Sequence, residues 1–146
     1  MSLFISNRQA SEKLSLELDP ELIRQILAPV LVELEIVELD LEIELLNDRQ
    51  IAELNEKFFS RPWPTNVISF SQEKEEAHLG DVVVSVETAR RETQELGYSL
   101  EEGVVYYLIH GILHLLGFEH VGVDAQEAVE MESRQDELFA LALNVI

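Results

Sequence analysis

The chain contains no cysteine, which excludes a disulfide scaffold, a thiolate metal site and a thiol nucleophile. Positive charge is scarce as well: 10 lysines and arginines face 29 aspartates and glutamates, for a net charge of −19. Tight non-specific binding to nucleic acid depends on neutralising phosphates with basic side chains. Any activity on a polynucleotide therefore requires a local positive site on an acidic protein. Long apolar runs are missing too. The most apolar stretch, VVYYLIHGILHLLGF (104–118), is too short to cross a bilayer comfortably and carries two histidines, so it reads as a buried core helix. The first residues, MSLFISNRQASEKL, lack the basic start, apolar middle and small-residue cleavage site of a signal peptide. A soluble cytoplasmic protein that does not engage membranes is the expectation.

With 146 residues, 47% of them hydrophobic, the chain can bury a core without cross-links. No repeat, low-complexity tract or linker interrupts it, so 1–146 reads as a single domain. Apolar residues at helical spacing predict a helix from Pro20 to about Leu34, with Pro29 as a point of kinking. Val37, Leu39, Leu41, Ile43 and Leu45 alternate with Glu38, Asp40, Glu42 and Glu44, the pattern of a half-buried strand with a solvated acidic face. Asn47 or Asp48 caps a helix through IAELNEKFF. The turn-rich SRPWPT leads into a strand, NVISF, and residues 71–78 form a polar loop. Gly80-Asp81 opens a strand, VVVSV, whose continuous apolar run suits burial on both faces. ETARRETQEL is a helix ended by Gly97. Ser99 with Glu102 makes a capping box for the long apolar helix, and Asp124 with Glu127 caps a final helix to about Leu143. The expected class is α+β, a small mixed β-sheet packed with several helices.

Three of the four histidines fall in HGILHLLGFEH, residues 110–120. His110 and His114, four apart, lie on one helix face. Gly117 is placed to take the left-handed conformation that ends a helix and reverses the chain, bringing His120 back beside them. Three neutral nitrogen ligands with a fourth position open are the donor set of a catalytic zinc site. The metal cleft is thus expected between the long helix and the turn after it, holding one zinc ion per chain. His78, the fourth histidine, is not expected to be a ligand. The spacing H-x-x-x-H-x-x-G-x-x-H is also that of metzincin peptidases, but those have a general-base Glu after the first histidine. Gly111 stands there in this chain, which disfavours peptide hydrolysis.

HGILHLLGFEH closely resembles the His-Gly-x-x-His-Leu-x-Gly-Tyr-Asp-His signature of the YbeY family, bacterial metal-dependent endoribonucleases. PTNVISF (64–70) and LGDVVVS (79–85) are similar to two further blocks of that family, in the same order. The resemblance implies that His110, His114 and His120 are the three metal ligands, usually of zinc. It also implies single-strand-specific cleavage in ribosomal RNA processing, at the 3′ end of the small-subunit RNA, and a part in ribosome quality control. Two departures stand out. Phe118-Glu119 replaces Tyr-Asp, and Phe59 occupies the place of an arginine six residues before the Thr of the strand motif. Lys57 and Arg61 flank that place.

A three-histidine site with an open position polarises a phosphoryl oxygen and lowers the pKa of its bound water towards roughly 7. Arg61, in the loop before NVISF, is the first candidate for a catalytic cation that stabilises charge on a cleaving phosphate. Thr65 and Asn66 are turn residues first and substrate contacts second. Glu119 is a candidate ligand-orienting partner or base. Lys57, Arg61, Arg90 and Arg91 are expected to cluster as a local anion site. The acidic surface further suggests that ribosomal RNA is met in pre-ribosomal particles, with ribosomal proteins as partners. The alternatives are a non-catalytic, metal-binding ribosome-assembly factor and a metallohydrolase on another substrate.

Overall fold

The computed structural model describes residues 3–9, 16–71, 78–118 and 124–144. Among them the elements run β1 (Leu3–Asn7), α1 (Pro20–Glu33), β2 (Asp40–Leu46), α2 (Asp48–Phe59), β3 (Val67–Ser71), β4 (His78–Ser85), α3 (Val86–Gln94), α4 (Leu100–Leu115) and α5 (Ala125–Leu143). The sheet has the order β1-β2-β4-β3; β1, β2 and β4 are parallel, and β3 is antiparallel to β4. This is the expected mixed α+β arrangement. No helix among the described residues is long and apolar enough to cross a membrane.

The alternation read in β2 sorts its side chains between two cores. Leu41, Ile43 and Leu45, with Val82 and Val84 of β4, face the main core, where α1, α4 and α5 contribute Ile26, Ile109 and Leu138. Leu46 and Val83 face the other way, against Ile51 of α2 and Ile68 of β3. The continuous apolar run of β4 is therefore covered on both faces. Helix α4 is the centre of the fold: Val104, Val105, Leu108, Ile109, Ile112 and Leu113 are fully buried. Each such side chain contributes roughly 1.5–3 kcal/mol relative to exposure.

The capping residues read from the sequence are in place. Asn47 and Ser99 form reciprocal capping boxes with Gln50 and Glu102, and the Asp124 side chain accepts from the Glu127 amide. Gly117 takes φ +98°, the left-handed region. Its amide donates to the His114 carbonyl at 3.1 Å and the Phe118 amide to Leu113 at 3.0 Å, the paired bonds that close a helix through a left-handed residue.

Several boundaries differ from expectation, and one strand was not expected. The strand expected from Val37 begins at Asp40. Glu35 takes φ +59° to stop α1, and the Leu39 amide then bonds the Ile36 carbonyl, so residues 37–39 are spent in a turn. Val86 starts a helix instead of ending a strand, because the Ser85 side chain accepts from the Thr88 amide. β1 gave too short a pattern to be expected from sequence; it pairs along β2 from Leu3↔Leu41 to Asn7↔Leu45. Of the expected 71–78 loop, Ser71 and His78 belong to strands, and the rest lies outside the described residues.

At Gly111, α4 lies close against the sheet. The Ser69 hydroxyl of β3 donates to the Gly111 carbonyl at 2.7 Å. A Cβ at Gly111 would lie 2.6 Å from Val82 Cγ1 and 3.0 Å from Ser69 Oγ. Overpacking of this kind costs about 1–3 kcal/mol. Gly111→Ala is expected to lower the denaturant midpoint accordingly without removing a metal ligand; an unchanged midpoint would show that the helix and sheet can part freely.

Candidate metal centre and active site

His110 and His114 project from the last two turns of α4 with their Nε2 atoms 3.1 Å apart. The rings meet edge to face, 4.7 Å between centroids. On the far side of His110, Nδ1 lies 2.8 Å from Oε1 of Gln135 on α5. An amide oxygen only accepts, so Nδ1 carries the proton and Nε2 presents its lone pair towards His114. Gln135 is buried, with 6% exposure.

This geometry fits a divalent ion with nitrogen ligands. Two imidazoles of a tetrahedral zinc centre, each bonded at about 2.0–2.1 Å, place their nitrogens ~3.3 Å apart, close to the separation seen. A partner that holds the second ring nitrogen is the usual support of a metal-bound histidine. Gln135 is then a positioning residue, and Gln135→Leu is expected to weaken zinc affinity about 10- to 100-fold in competition with a chromophoric chelator. Gln135→Glu, which keeps an acceptor, should restore it; equal affinity in parent and Gln135→Leu would contradict the role. His120 and Glu119 lie outside the described residues.

The two histidines open onto a cleft of about 620 Å³ that is also lined by Phe59, Arg61, Thr65, Asn66 and Ser69. Arg61 reaches the cleft because the chain after α2 is pinned. Ser60 ends the helix in the left-handed region at φ +57°. The Arg61 amide donates to the Asn55 carbonyl at 3.3 Å, and the buried Asn55 side chain donates to the Trp63 carbonyl at 2.9 Å. Arg61 makes no ion pair among the described residues. Asn66 and His110 also border a second cavity of about 470 Å³, lined by Tyr106, Tyr107, Met131 and Gln135. Burial, and then its 2.7 Å hydrogen bond to Glu92, push the Tyr107 phenol well above the usual tyrosine range, so it stays protonated.

The expected cluster of four basic residues does not form. Arg91 is held by Asp48 at 2.8 Å. Burial raises the Asp48 carboxyl, but hydrogen bonds from Ser85, Thr88 and Arg91 outweigh it and hold the group below the ordinary carboxylate range. Arg90 borders a different cavity, with Glu17 and Gln94. Lys57 sits over the Phe58 ring at 5.3 Å and does not line the cleft. Among the described residues, Arg61 is the one lysine or arginine that does.

The crowding around Gly111 bears on hydrolysis of peptides. The position that carries a general-base carboxylate in metzincins faces Val82, Ser69 and Val67 here. There is no space at that point for a glutamate.

A second group with metal-ligating atoms lies on the outer face of the sheet. Glu42, His78 and Asp81 offer one ligand atom each, all within 4.8 Å of one another. Glu42 and Asp81 are register partners on β2 and β4. An extra residue in β4, between the pairs Asp40↔His78 and Leu41↔Gly80, re-aims His78. Its Nε2 comes to 3.2 Å from Asp81 Oδ1. From sequence, His78 falls in a loop before the strand, whereas β4 begins at His78 and the extra residue turns it towards Asp81.

A family model for endoribonuclease YbeY matches residues 4–142. The endoribonuclease YbeY of Syntrophotalea carbinolica is 33% identical, with 94% of this chain and 93% of that protein covered. The endoribonuclease YbeY of Geobacter metallireducens is 34% identical, covering 97% and 95%. A solution structure of a Thermotoga maritima protein superposes with a TM-score of 0.65 at 23% identity, over 98% of this chain and 90% of that one, and shares its fold. With the family model spanning nearly the whole sequence, the chain belongs to the endoribonuclease YbeY family.

Proposed function

We propose that His110, His114 and His120 hold one zinc ion and that the chain is a zinc-dependent, single-strand-specific endoribonuclease maturing the 3′ end of small-subunit ribosomal RNA in the cytoplasm. The carrying observation is the convergence of the His110 and His114 Nε2 atoms at 3.1 Å, with Gln135 holding the opposite nitrogen of His110. When bound, zinc supplies a Lewis acid for a phosphoryl oxygen and a water nucleophile near neutral pH.

The chain's own residues supply orientation and charge. Gln135 fixes the His110 ring, and the buried Asn55 holds the loop that carries Arg61 beside the cleft. The Arg61 guanidinium donates to the non-bridging oxygens of the cleaved phosphate, where negative charge builds in the transition state. Thr65 and Asn66 line the path of the strand. The net charge of −19 leaves little general attraction for naked RNA, which supports a substrate met within pre-ribosomal particles alongside ribosomal proteins.

The test is cleavage of a small-subunit RNA precursor, naked and in particles. A chelator should abolish cleavage and added zinc should restore it. A chain that keeps its zinc yet cleaves neither substrate would be a ribosome-assembly factor with a structural metal.

A further inference from the structure

We infer that single-stranded RNA is held at the cleft mainly by base stacking on Phe59 and Trp63, with Arg61 between them in sequence as a single phosphate contact. The inference rests on the endoribonuclease reading and names how that site takes its substrate. Of the seven exposed large apolar side chains among the described residues, three are Phe58, Phe59 and Trp63, at 52%, 48% and 56% exposure. Contiguous exposed apolar surface rimmed by polar residues marks interaction sites. Phe59 is part of the cleft wall that includes His110, His114 and Arg61, so that ring adjoins the site, and Trp63 follows Arg61 by two residues.

The two phenylalanine rings are held in place. Phe70 of β3 lies nearly parallel to Phe59, at 22° and 6.5 Å, and meets Phe58 edge-on at 5.0 Å. Phe59 is thus backed from the sheet while about half of it remains open. Trp63 is fixed through its backbone by Asn55. Preorganised rings lose little freedom when a base stacks on them.

Charge decides between stacking and an electrostatic grip. Lys57, Arg90 and Arg91 do not line the cleft. A base has a π-face whatever its identity, so stacking tolerates sequence and raises affinity about five- to 150-fold per base. Bases paired in a duplex are already stacked on one another, so the shelf selects unpaired strands.

Trp63 is the chain's only tryptophan, so its emission reports the contact directly. The probe is a 2′-O-methyl oligoadenylate of about ten nucleotides, single-stranded or annealed to its complement, titrated into the zinc-loaded chain. Trp63 emission should be quenched by the single strand and not by the duplex. By anisotropy of a labelled strand, Phe59→Leu and Trp63→Leu should each raise Kd about five- to 150-fold with zinc content unchanged, and Phe59→Tyr should bind as the parent does. The slope of log K against log salt should lie near about −0.7, as for one phosphate contact. Unquenched emission, an unchanged Kd in both leucine variants, or a slope steeper than about −3 would overturn the shelf. Unchanged Kd with intact zinc-dependent cleavage would remove the shelf and leave the endoribonuclease reading. Normal quenching in a chain that cleaves no RNA would remove that reading and keep the shelf.

Discussion

His114→Ala is expected to lose bound zinc and, with it, RNA cleavage by at least about a thousandfold. Removing one imidazole leaves His110 without the nitrogen 3.1 Å away that would share an ion with it. The fold should survive, because His114 is only partly buried near the end of α4 and the buried residues before it are apolar. Zinc content by elemental analysis, circular dichroism and the cleavage rate of the same preparation check the three parts together. A folded His114→Ala chain that keeps one zinc and its cleavage rate would exclude the α4 site.

Arg61→Ala is expected to slow cleavage roughly tenfold to more than a hundredfold while leaving zinc in place. A hydrogen bond to a charged group is worth about 1.5–3 kcal/mol, which appears in the rate when it forms mainly in the transition state. Lys57→Ala should change the rate far less. Its ammonium lies over the Phe58 ring, outside the cleft wall, and lacks the planar fork that grips two phosphate oxygens. Single-turnover cleavage of a short single-stranded RNA separates the variants. Equal rates in Arg61→Ala and the parent would mean that the transition-state charge is met elsewhere.

The pairing of His110 with His114 and the helix stop at Gly117 were legible because both follow from local rules, helical spacing and the left-handed tolerance of glycine. The caps at Asn47, Ser99 and Asp124 were legible for the same reason. Gln135 was hidden by distance along the chain, since it meets His110 only when α5 packs on α4. Its one local signal is a polar residue on the stripe that buries Met131, Leu138 and Ala142. The Glu42–His78–Asp81 group depends on an extra residue in β4 that breaks the strand period. The basic cluster failed for a related reason: nearness in sequence does not say which face a side chain takes. Adjacent Arg90 and Arg91 diverge on α3, one bordering a separate cavity and the other gripping Asp48. The late start of β2 traces to Glu35, a left-handed residue that is not glycine.

Zinc-edge X-ray absorption on the loaded full-length chain tests the central claim most directly. The account predicts three imidazole nitrogens and one oxygen donor at about 2.0–2.1 Å, with the imidazole scattering reduced in His114→Ala and unaltered in His78→Ala. A spectrum of one imidazole among carboxylate oxygens, lost in His78→Ala and kept in His114→Ala, would place the ion at Glu42, His78 and Asp81 instead and contradict the account.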